Sequence, residues 1–521
     1  EITTRLVGSE MCIRDSIITD DVKNAINVSS DTRYASKGRF TQSVNIDVNT
    51  GKFGSYTSYR RQQAEGWQLN PYEENSKTHE LEETGKVAST GFYANTVNQK
   101  FTFDATDKLS FYARGGYYDN KTRRPYEAYD YNILHETFNY GIGAQYMINK
   151  GNYITADCYA DHFSSSYCFF KDNKTYNGKA GEEQVRKRTR NHNLSIKGIF
   201  KLGNRHKLSV GTEYIVDVLK SQTDNIAKED AYTLALFAQD EIKLLRNLQA
   251  LIGVRDIYHE NFKNHATPNV ALMYKPGKFN FRASYAAGFR TPTLSELYAT
   301  DIAKKNDRLT IGNLDLKPEK NNYFSLSAEY VHERFSVSVN AFYNNIRDMI
   351  DYNTIATGDK AMEQYGHKEV RQRDNIAEAK VHGINVSANA YLGAGFNLSG
   401  GYTHLNTQDV ELEQPIDKSI KNAYNINAQW AHSWKIYRLN INLNGRFNSK
   451  RFSKSYGYAP EYQLWDLNTR HSFNLKSVII EPGCGMENLF DYMDDRPYNS
   501  NYATLTPGRS FYISLSLKFK S

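Results

Sequence analysis

The sequence predicts an all-β protein: a transmembrane antiparallel β-barrel of about 22 strands with short periplasmic turns and long extracellular loops. Alternating apolar and polar segments recur along the 521 residues, and short turns alternate with long polar connections between them. The chain is polar, with a mean hydropathy of -0.67, yet 13% of its residues are aromatic. This composition suits a barrel with a wet lumen and aromatic girdles. No run of 18 apolar residues predicts a transmembrane helix.

The first residues stand apart from this pattern. Residues 4–16, TRLVGSEMCIRDS, resemble a translated sequencing-adaptor remnant of the kind found at the ends of assembled fragments. We interpret residues 1–16 as such an artefact, which makes Cys12 a non-natural residue. No signal peptide opens the chain. The barrel is predicted over residues 25–521.

The first predicted strands show the period of two that is typical of a strand with one apolar face. Segments 25–34 and 39–48 alternate in this way. Between 48 and 53 the chain reads Asn-Thr-Gly-Lys, which has the Asn and Gly chemistry of a tight hairpin turn. Segment 52–61 then opens a long polar connection.

Short and long connections alternate along the rest of the chain. The short turns are predicted at 105–108, 149–152, 203–205, 275–278, 332–334, 392–395 and 474–477. The long polar connections are predicted near 62–90, 120–134, 166–186, 290–322, 345–378, 410–421, 450–461 and 488–509. Three connections, near 35–38, 219–228 and 261–263, are short although they belong to the end of the barrel that carries the long connections. This asymmetry is typical of a barrel whose turns face the periplasm and whose loops face outward.

Three strands show the predicted lipid-facing pattern most clearly. Two of them flank the longest connection, and the third ends the chain. Their apolar faces are Phe279, Phe281, Ala283, Tyr285, Ala287 and Phe289; then Phe324, Leu326, Ala328 and Tyr330; and finally Phe511, Ile513, Leu515, Leu517 and Phe519. The polar residues between them are predicted to face the lumen.

The longest connection has predicted anchors at its base. Pro292 cannot donate to a ladder, so the strand should end there. Thr293 and Glu296 have the spacing of a capping box that starts a helical turn. Pro318 favours an extended residue before it, ready for the next strand. Arg290 and Glu319 are predicted to form an ion pair, so we assign Arg290, Pro292, Glu296, Pro318 and Glu319 to loop anchoring.

Charge and cysteine content argue against several other classes of protein. The net charge of +7 and the pI near 8.8 are mild and spread out, unlike the clustered basic stripe of a nucleic-acid-binding module. There are four Cys and no CxxC motif, so zinc and dithiol chemistry have no signature. Cys158 and Cys168 are predicted to stay unpaired, because ten residues of strand span about 30 Å.

Catalysis is not predicted either. The sequence has no HExxH, GxSxG or GxxxxGK[ST] motif, and these motifs mark metalloproteases, serine hydrolases and nucleotide-binding loops. The 13 His are scattered, without an i, i+4 pair followed by a third ligand. We therefore expect no enzyme, no cofactor and no metal centre.

Three segments resemble TonB-dependent receptors. Residues 288–298, GFRTPTLSELY, resemble the family's "GFRAPTLSELY" segment, and residues 313–320, NLDLKPEK, resemble its "NPDLKPEK" box. Residues 488–491 with 507–512 resemble its closing "NLF…PGR" segment. Order and spacing agree over residues 17–519, so together the segments are specific.

The resemblance implies a 22-stranded barrel in the outer membrane of a Gram-negative bacterium. In this family an N-terminal plug precedes the barrel, and TonB supplies the energy for import of a scarce ligand. Ile17, Ile18 and Thr19 resemble the end of the segment that closes the plug, so residues 17–24 are interpreted as a remnant of the junction. The plug and the TonB box are expected upstream of this sequence, and TonB is an expected partner through them.

Basic and aromatic side chains at the predicted loop ends are the candidate ligand-binding residues. They are Trp67, Arg123, Arg124, Tyr126, Arg186, Arg188, Arg371, Arg373, Arg451, Tyr456 and Tyr458. One interpretation is a vestibule for an anionic ligand such as a ferric siderophore, since Arg binds oxyanions and aromatics stack on flat groups. Another is contact with lipopolysaccharide phosphates at the outer rim. The third is ordinary solvated loop charge.

The ligand is predicted less directly than the fold. Residues 293–312 contain no His, which argues against haem by the family's pattern. The acidic connection at 62–90 lacks the Asp-x-Asp spacing of a calcium loop. We predict ferric-siderophore uptake by a monomer, with cobalamin uptake as the alternative within the family and a passive porin or adhesive barrel as the alternative outside it. A plug with a TonB box upstream would favour the transporter, whereas a signal peptide directly before Ala25 would favour the passive barrel.

Overall fold

The computed structural model describes residues 25–75, 78–303, 307–454, 456–497 and 501–520. The predicted adaptor remnant at 1–16 and the predicted plug junction at 17–24 lie outside these residues. Within the described part the chain is overwhelmingly β-strand.

The strands close into one antiparallel barrel. The main sheet has 24 strands, two of which belong to a loop, and the other 22 form the barrel wall. These are β1 Ile26–Ala35, β2 Arg39–Asn49, β3 Phe53–Ala64, β4 Gly91–Asp104, β5 Leu109–Arg123, β6 Tyr131–Asn149, β7 Asn152–Phe169, β8 Glu183–Leu202, β9 His206–Ser221, β10 Ile226–Leu245, β11 Leu248–His259, β12 Lys263–Tyr274, β13 Phe279–Arg290, β14 Glu319–Val331, β15 Phe335–Thr357, β16 Glu369–Gly393, β17 Phe396–Asp409, β18 Asn422–Trp434, β19 Tyr437–Asn448, β20 Tyr462–Leu475, β21 Val478–Glu487 and β22 Ser510–Lys520. β1 pairs with β22 from Asn27↔Lys520 to Ala35↔Tyr512, which closes the ring. The predicted strand number and barrel class are confirmed.

Side chains alternate between the two faces of the wall, as the sequence predicted. On β22, Ile513 is 65% exposed although it is apolar. Leu326 on β14 is 66% exposed, and the predicted apolar faces of β13 and β14 pair side by side, with Ala283 opposite Leu326. A belt of large apolar residues that no other described part of the chain covers is suited to hydrocarbon. We call this face outward and the opposite face lumenal.

The connections follow the predicted asymmetry. One end of the barrel has only turns of two to four residues, and the other has connections of up to 28 residues. In the Asn49–Lys52 turn Gly51 has φ 89°, and its N–H donates to Oδ1 of Asn49 at 2.8 Å. Glycine adopts this left-handed conformation without the steric cost of a side chain.

The expected long connection at 345–378 is largely strand. β15 and β16 continue their pairing to Thr357↔Glu369, so the connection shrinks to 358–368. It contains helix α2, Gly358–Tyr365, which the sequence did not predict; helix α1, Leu294–Tyr298, belongs to the β13–β14 loop. Gly366 ends α2 in the left-handed conformation with φ 72°. The sequence concealed these strands because, above the apolar belt, lipid no longer imposes a regular apolar alternation. The few buried residues of the ribbon, such as Ile350 and Val370, contact other loop residues instead.

Other loops carry small hairpins. They pair Tyr72–Glu74 with Leu81–Glu83, Thr300–Ala303 with Arg308–Ile311, and Arg451–Ser453 with Gly457–Ala459. Neither described helix is long and apolar enough to cross a membrane. Buried apolar clusters of the described chain lie near the loop bases, for example Leu297, Leu316 and Ile350. At the loop end of the barrel, apolar side chains are therefore buried against one another, whereas in the belt below they remain exposed.

Candidate functional site

The base of the β13–β14 loop is a buried ion network around Arg290. Its guanidinium donates to both oxygens of Glu319, at 2.8 and 2.6 Å, and to both oxygens of Glu296, at 2.9 and 3.2 Å. Glu319 is 4% exposed and Glu296 8% exposed. Glu319 also accepts the N–H of Ile350 at 2.8 Å, which ties the network to β15. Two bidentate pairs on one planar fork make this a rigid junction.

Helix α1 sits directly on this network. Thr293 caps it, and the side chain of Glu296 accepts the Thr293 N–H in return at 2.8 Å. Pro292 lies between β13 and the helix, and Pro318 immediately precedes β14. The helix docks sideways through Ser295, whose hydroxyl donates to Asp224 of the β9–β10 turn at 3.0 Å. The predicted anchoring residues thus lie together, and their anchoring role remains a prediction.

The electrostatics of the junction favour its charged state. Burial alone would raise the pKa of Glu296, but hydrogen bonds from Arg290 and Thr293 lower it below the ordinary value. Burial likewise opposes the charge on Arg290, yet the hydrogen bonds to Glu319 and Glu296 raise its pKa. Glu296 and Arg290 are therefore both ionised at neutral pH.

A second group of side chains brings cations and phenol rings together at the loop end of β6, β7 and β8. We call it the tyrosine–arginine cluster: Arg124, Tyr131, Tyr167, Tyr176 and Arg186. The rings of Tyr131 and Tyr167 stack with centroids 4.1 Å apart, and Tyr176 meets them edge-on at 5.8 and 5.2 Å. Cζ of Arg186 lies 5.0 Å from the Tyr176 ring, and Cζ of Arg124 lies 5.1 Å from the Tyr131 ring. These distances are those of cation–π contacts.

The strand register places this cluster on the lumenal side. On β7 the outward positions include Ile154, so Tyr167, an odd number of residues away, faces the lumen. Tyr131 is opposite Phe169, two residues from Tyr167, and shares that face. A β-bulge between Val185 and Lys187 leaves Arg186 without a partner on β7. Because a bulge puts two successive residues on one side, Arg186 reaches the lumenal rings.

The cluster borders a polar cavity. The cavity has a volume of about 610 Å³ and is lined by Tyr176, Arg186, Arg188, Lys220 and Glu182 among others. Burial, and then the neighbouring Tyr131, raise the pKa of Tyr176, so this phenol stays neutral. Arg186 also donates to the side chain of Gln222 at 2.9 Å. The region offers donors, flat rings and excess positive charge.

Two predicted residues, Arg123 and Arg188, do not join the cluster. Arg123 pairs with Gly91 at the end of β5, and Arg188 pairs with Ser164 on the outward face of β8. Both are exposed. Arg123 lies on the outer surface and not in the cavity, whereas Arg188 lines the cavity beside the cluster.

Two others brace neighbouring loops. The indole N–H of Trp67 donates to the carbonyl of Leu505 at 2.7 Å, which joins the β3–β4 and β21–β22 loops. Arg451 donates to Asn501 Oδ1 at 3.1 Å and to the carbonyl of Tyr502 at 2.5 Å. Their side chains are engaged with the protein itself.

The remaining predicted residues are divided between paired and exposed positions. Arg371 is bonded to Glu369, and Arg373 lies with Cζ 3.5 Å from the ring centre of Tyr352. Tyr126 stacks on Phe170 at 5.5 Å and remains 59% exposed. Tyr456 and Tyr458 are also exposed, on the β19–β20 loop.

Sequence reasoning missed the three tyrosines at the centre of the cluster. Tyr131 and Tyr167 were hidden inside predicted loops, because the strands run further than expected. Alternate residues of a strand face opposite sides, so counting along β7 from the outward Ile154 would have placed Tyr167 on the lumenal face. Tyr176 lies in a loop and has no such periodic signal. Among the described residues no group of His, Cys, Asp and Glu is placed to hold a metal ion.

Solved structures share this barrel. The ferric enterobactin receptor PfeA from Pseudomonas aeruginosa, in complex with BCV-L6, matches with a TM-score of 0.79 and 15% identity over 96% of this chain and 82% of that chain. The siderophore receptor PirA from Acinetobacter baumannii matches with a TM-score of 0.75 and 15% identity over the same shares of the two chains. The FrpB iron transporter from Neisseria meningitidis gives 0.73 and 13% identity, again over 96% and 82%.

The family comparison agrees with the fold and covers two of the three segments that resembled family boxes, at 288–298 and 313–320. The model described as "TonB dependent receptor-like, beta-barrel" matches residues 30–484. That range covers β2 to β20 completely and most of β1 and β21. The chain belongs to the TonB-dependent receptors and forms their β-barrel.

Proposed function

We propose that this chain is the barrel of an outer-membrane receptor that binds a ferric siderophore for TonB-energised import. The observation that carries the proposal is the lumenal tyrosine–arginine cluster at the loop end of a barrel of this family. Ferric catecholates and similar chelates are flat-ringed and often anionic. Phenol rings and guanidinium groups bind such ligands by stacking and by charge-assisted hydrogen bonds.

The named neighbours support the same ligand class. PfeA, PirA and FrpB are described as receptors or transporters of siderophores or iron. We infer that this chain works as a monomer in the outer membrane of a Gram-negative bacterium, surrounded by lipid and lipopolysaccharide. TonB would act through the family's N-terminal domain, and the barrel residues would supply ligand recognition rather than catalysis.

Arg186 is the residue on which the ligand hypothesis is tested. The purified barrel is titrated in detergent with ferric catecholate, ferric hydroxamate and cobalamin in parallel, by quenching of tryptophan fluorescence. We expect the catecholate to bind, and R186A to weaken it about 5- to 30-fold, because the loss of one desolvated cation–π contact or one charged hydrogen bond costs about 1 to 2 kcal/mol. The control variant R282A removes an exposed arginine far from the loop end and should bind normally.

The same titration decides between the alternatives. Tight binding of cobalamin alone would show that the ligand is cobalamin, the alternative within the family, and not a ferric siderophore. No binding of any ligand, to this barrel or to a version extended by its upstream sequence, together with ion conductance in planar bilayers, would favour a passive barrel.

A further inference from the structure

The lumenal face of β19 is a row of asparagines with an arginine at each end. We call this row the asparagine ladder: Arg438, Asn440, Asn442, Asn444 and Arg446. Ile426 on β18 is 48% exposed on the outward face and is the partner of Gly445, so the neighbours of Gly445 point into the lumen. Eight residues of strand cover about 26 Å, so the ladder crosses most of the height of the apolar belt.

The wall beside the ladder carries no fixed charge. On β15 to β18 the lumenal positions are the alternate residues of 336–346, 379–389, 397–407 and 423–433. All of these are described residues, and none is Asp, Glu, Lys, Arg or His, although charged residues make up 24% of the chain. Asn427 on β18 donates to Asn444, and Asn444 donates to Asn442. The ladder therefore borders a broad uncharged surface that is rich in amides and hydroxyls.

The wall across the lumen has the opposite character. On β7, β9 and β10 the lumenal positions include several acids, which are Asp157, Asp161, Glu213, Asp217, Glu229 and Glu241. Bases on the same wall are engaged with these acids, for example Arg255 with Glu213 at 2.5 Å and Lys207 with Glu241 at 3.1 Å. In the ring of 22 strands, β8 and β19 lie half a turn apart. An anion in the lumen is repelled by the acidic wall, and this repulsion favours the neutral one.

The two arginines of the ladder stand at its two ends, and both are exposed. Arg446 lies next to the loop end of β19, and Arg438 lies next to the short turn that joins β18 to β19. Within the described part of the chain, neither guanidinium has an ion pair or a hydrogen bond to a side chain. Each is therefore able to bind an anionic oxygen of a ligand.

The upper part of the ladder opens into a recess in the lumenal wall. The recess has a volume of about 460 Å³ and is lined by Arg446, Asn444, Asn427 and the small Ser399, among others. Asp466, the acid that borders it, accepts the N–H of Asn488 at 2.8 Å. The wall itself thus leaves room for part of a ligand beside the ladder.

We propose that the asparagine ladder is the surface along which an imported anionic chelate crosses the lumen. Arg446 receives the chelate from the loop end, the amides of the three asparagines hold it by neutral hydrogen bonds, and Arg438 attracts it to the short-turn end. Conduction requires binding that is favourable enough for entry and weak enough for release. Neutral amides meet this condition, whereas a continuous row of cations would retain the anion. The proposal rests on the proposed siderophore import and adds the route that the ligand takes.

The test compares binding with import, using the receptor extended by its upstream sequence in cells that lack other siderophore receptors. Uptake of ferric catecholate labelled with radioactive iron is measured beside its affinity for the purified protein. N440D/N442D/N444D preserves side-chain size and adds negative charge, so we expect import to fall about tenfold or more while the affinity at the loop end stays unchanged. The neutral variant N440S/N442S/N444S should keep at least about half of the import rate, because hydroxyls also form neutral hydrogen bonds.

The control N45D/N98D/N139D adds the same charge to lumenal positions of β2, β4 and β6, away from the ladder. It should import as the wild type does. Unchanged import by N440D/N442D/N444D, or an equal loss in the control, would overturn the proposal. Heat-modifiable migration on gels verifies folding. If the aspartate variant does not fold, R438Q/R446Q, which keeps the asparagines, must lower import about tenfold, the factor expected for a lost charged hydrogen bond.

Failure of the siderophore proposal gives a different result. If the wild-type receptor neither binds nor imports the catecholate, the proposed function is wrong, and the ladder is tested with ferricyanide, a small trianionic iron complex. Its permeability through the barrel in planar bilayers is measured from the reversal potential in a ferricyanide gradient. N440D/N442D/N444D should lower this permeability several-fold more than N45D/N98D/N139D does. Equal permeability of the two variants would refute an anion route along β19.

Discussion

Replacing Arg290 by alanine should release the β13–β14 loop while leaving the barrel closed. The substitution leaves two carboxylates, Glu296 and Glu319, without a counter-charge although they are 8% and 4% exposed. Each keeps one backbone donor, from Thr293 and Ile350, at 2.8 Å. Breaking a buried pair by removing one partner costs about 3 to 5 kcal/mol, so the opening equilibrium of the loop should rise by roughly two orders of magnitude or more.

Hydrogen exchange followed by mass spectrometry over α1 and the residues around it measures that equilibrium. The informative comparison is R290A/E296Q/E319Q, in which the stranded charges are removed and glutamine still suits the capping box. We expect this triple variant to regain at least half of the lost protection. R282A, an exposed arginine on the same strand, should change nothing. Equal exchange in R290A and the triple variant would refute the idea that buried charge, rather than lost packing, sets the cost.

Three smaller predictions follow from the loops. The pKa of Glu296 is lowered in the folded loop, so the stability that the junction gives to the loop should be complete above the ordinary pKa of 4.5 and should fall as the pH drops below it. Hydrogen exchange of α1 between pH 6 and 3 checks this. W67F, which removes the donor to Leu505, should speed proteolysis of the β3–β4 loop several-fold without lowering the melting temperature of the barrel, since the bond contributes only about 1 kcal/mol. G366A should destabilise α2 by about 1 kcal/mol, because alanine is strained at φ 72°. The control G203A, at a left-handed glycine of a short turn with open space around it, should leave exchange in α2 unchanged.

The fold was predictable because lipid imposes a simple period on the strands. Outward positions such as Ile513 and Leu326 must be apolar within the belt, and this alternation is visible in the sequence. Where the strands leave the belt the constraint ends. The β15–β16 ribbon extends to Thr357↔Glu369, and only scattered apolar residues such as Ile350 and Val370 are buried there, against other loops. Its sequence therefore lacks the regular alternation of a strand in the belt, and α2 at its tip is too short to show a helical period.

The sequence predicted which types of residue form the candidate site, but not which individual residues come together in it. Clusters of Arg and Tyr at strand ends pointed to the loop end of the barrel, and Arg124 and Arg186 both contact the stacked pair of Tyr131 and Tyr167 there. What the sequence could not show is which face each side chain takes. Trp67 and Arg451 have the right chemistry for a ligand, yet each is bound to another loop.

The bulge at Arg186 explains how one short basic segment serves two surfaces. In a regular strand Arg186, Arg188 and Arg190 would all share the outward face, because alternate residues do. The inserted residue between Val185 and Lys187 shifts the register, so that Arg186 joins the lumenal rings while Arg188 and Arg190 stay outside. A single irregularity in hydrogen bonding thus separates Arg186, which contacts the rings of Tyr167 and Tyr176, from the exposed cations that follow it.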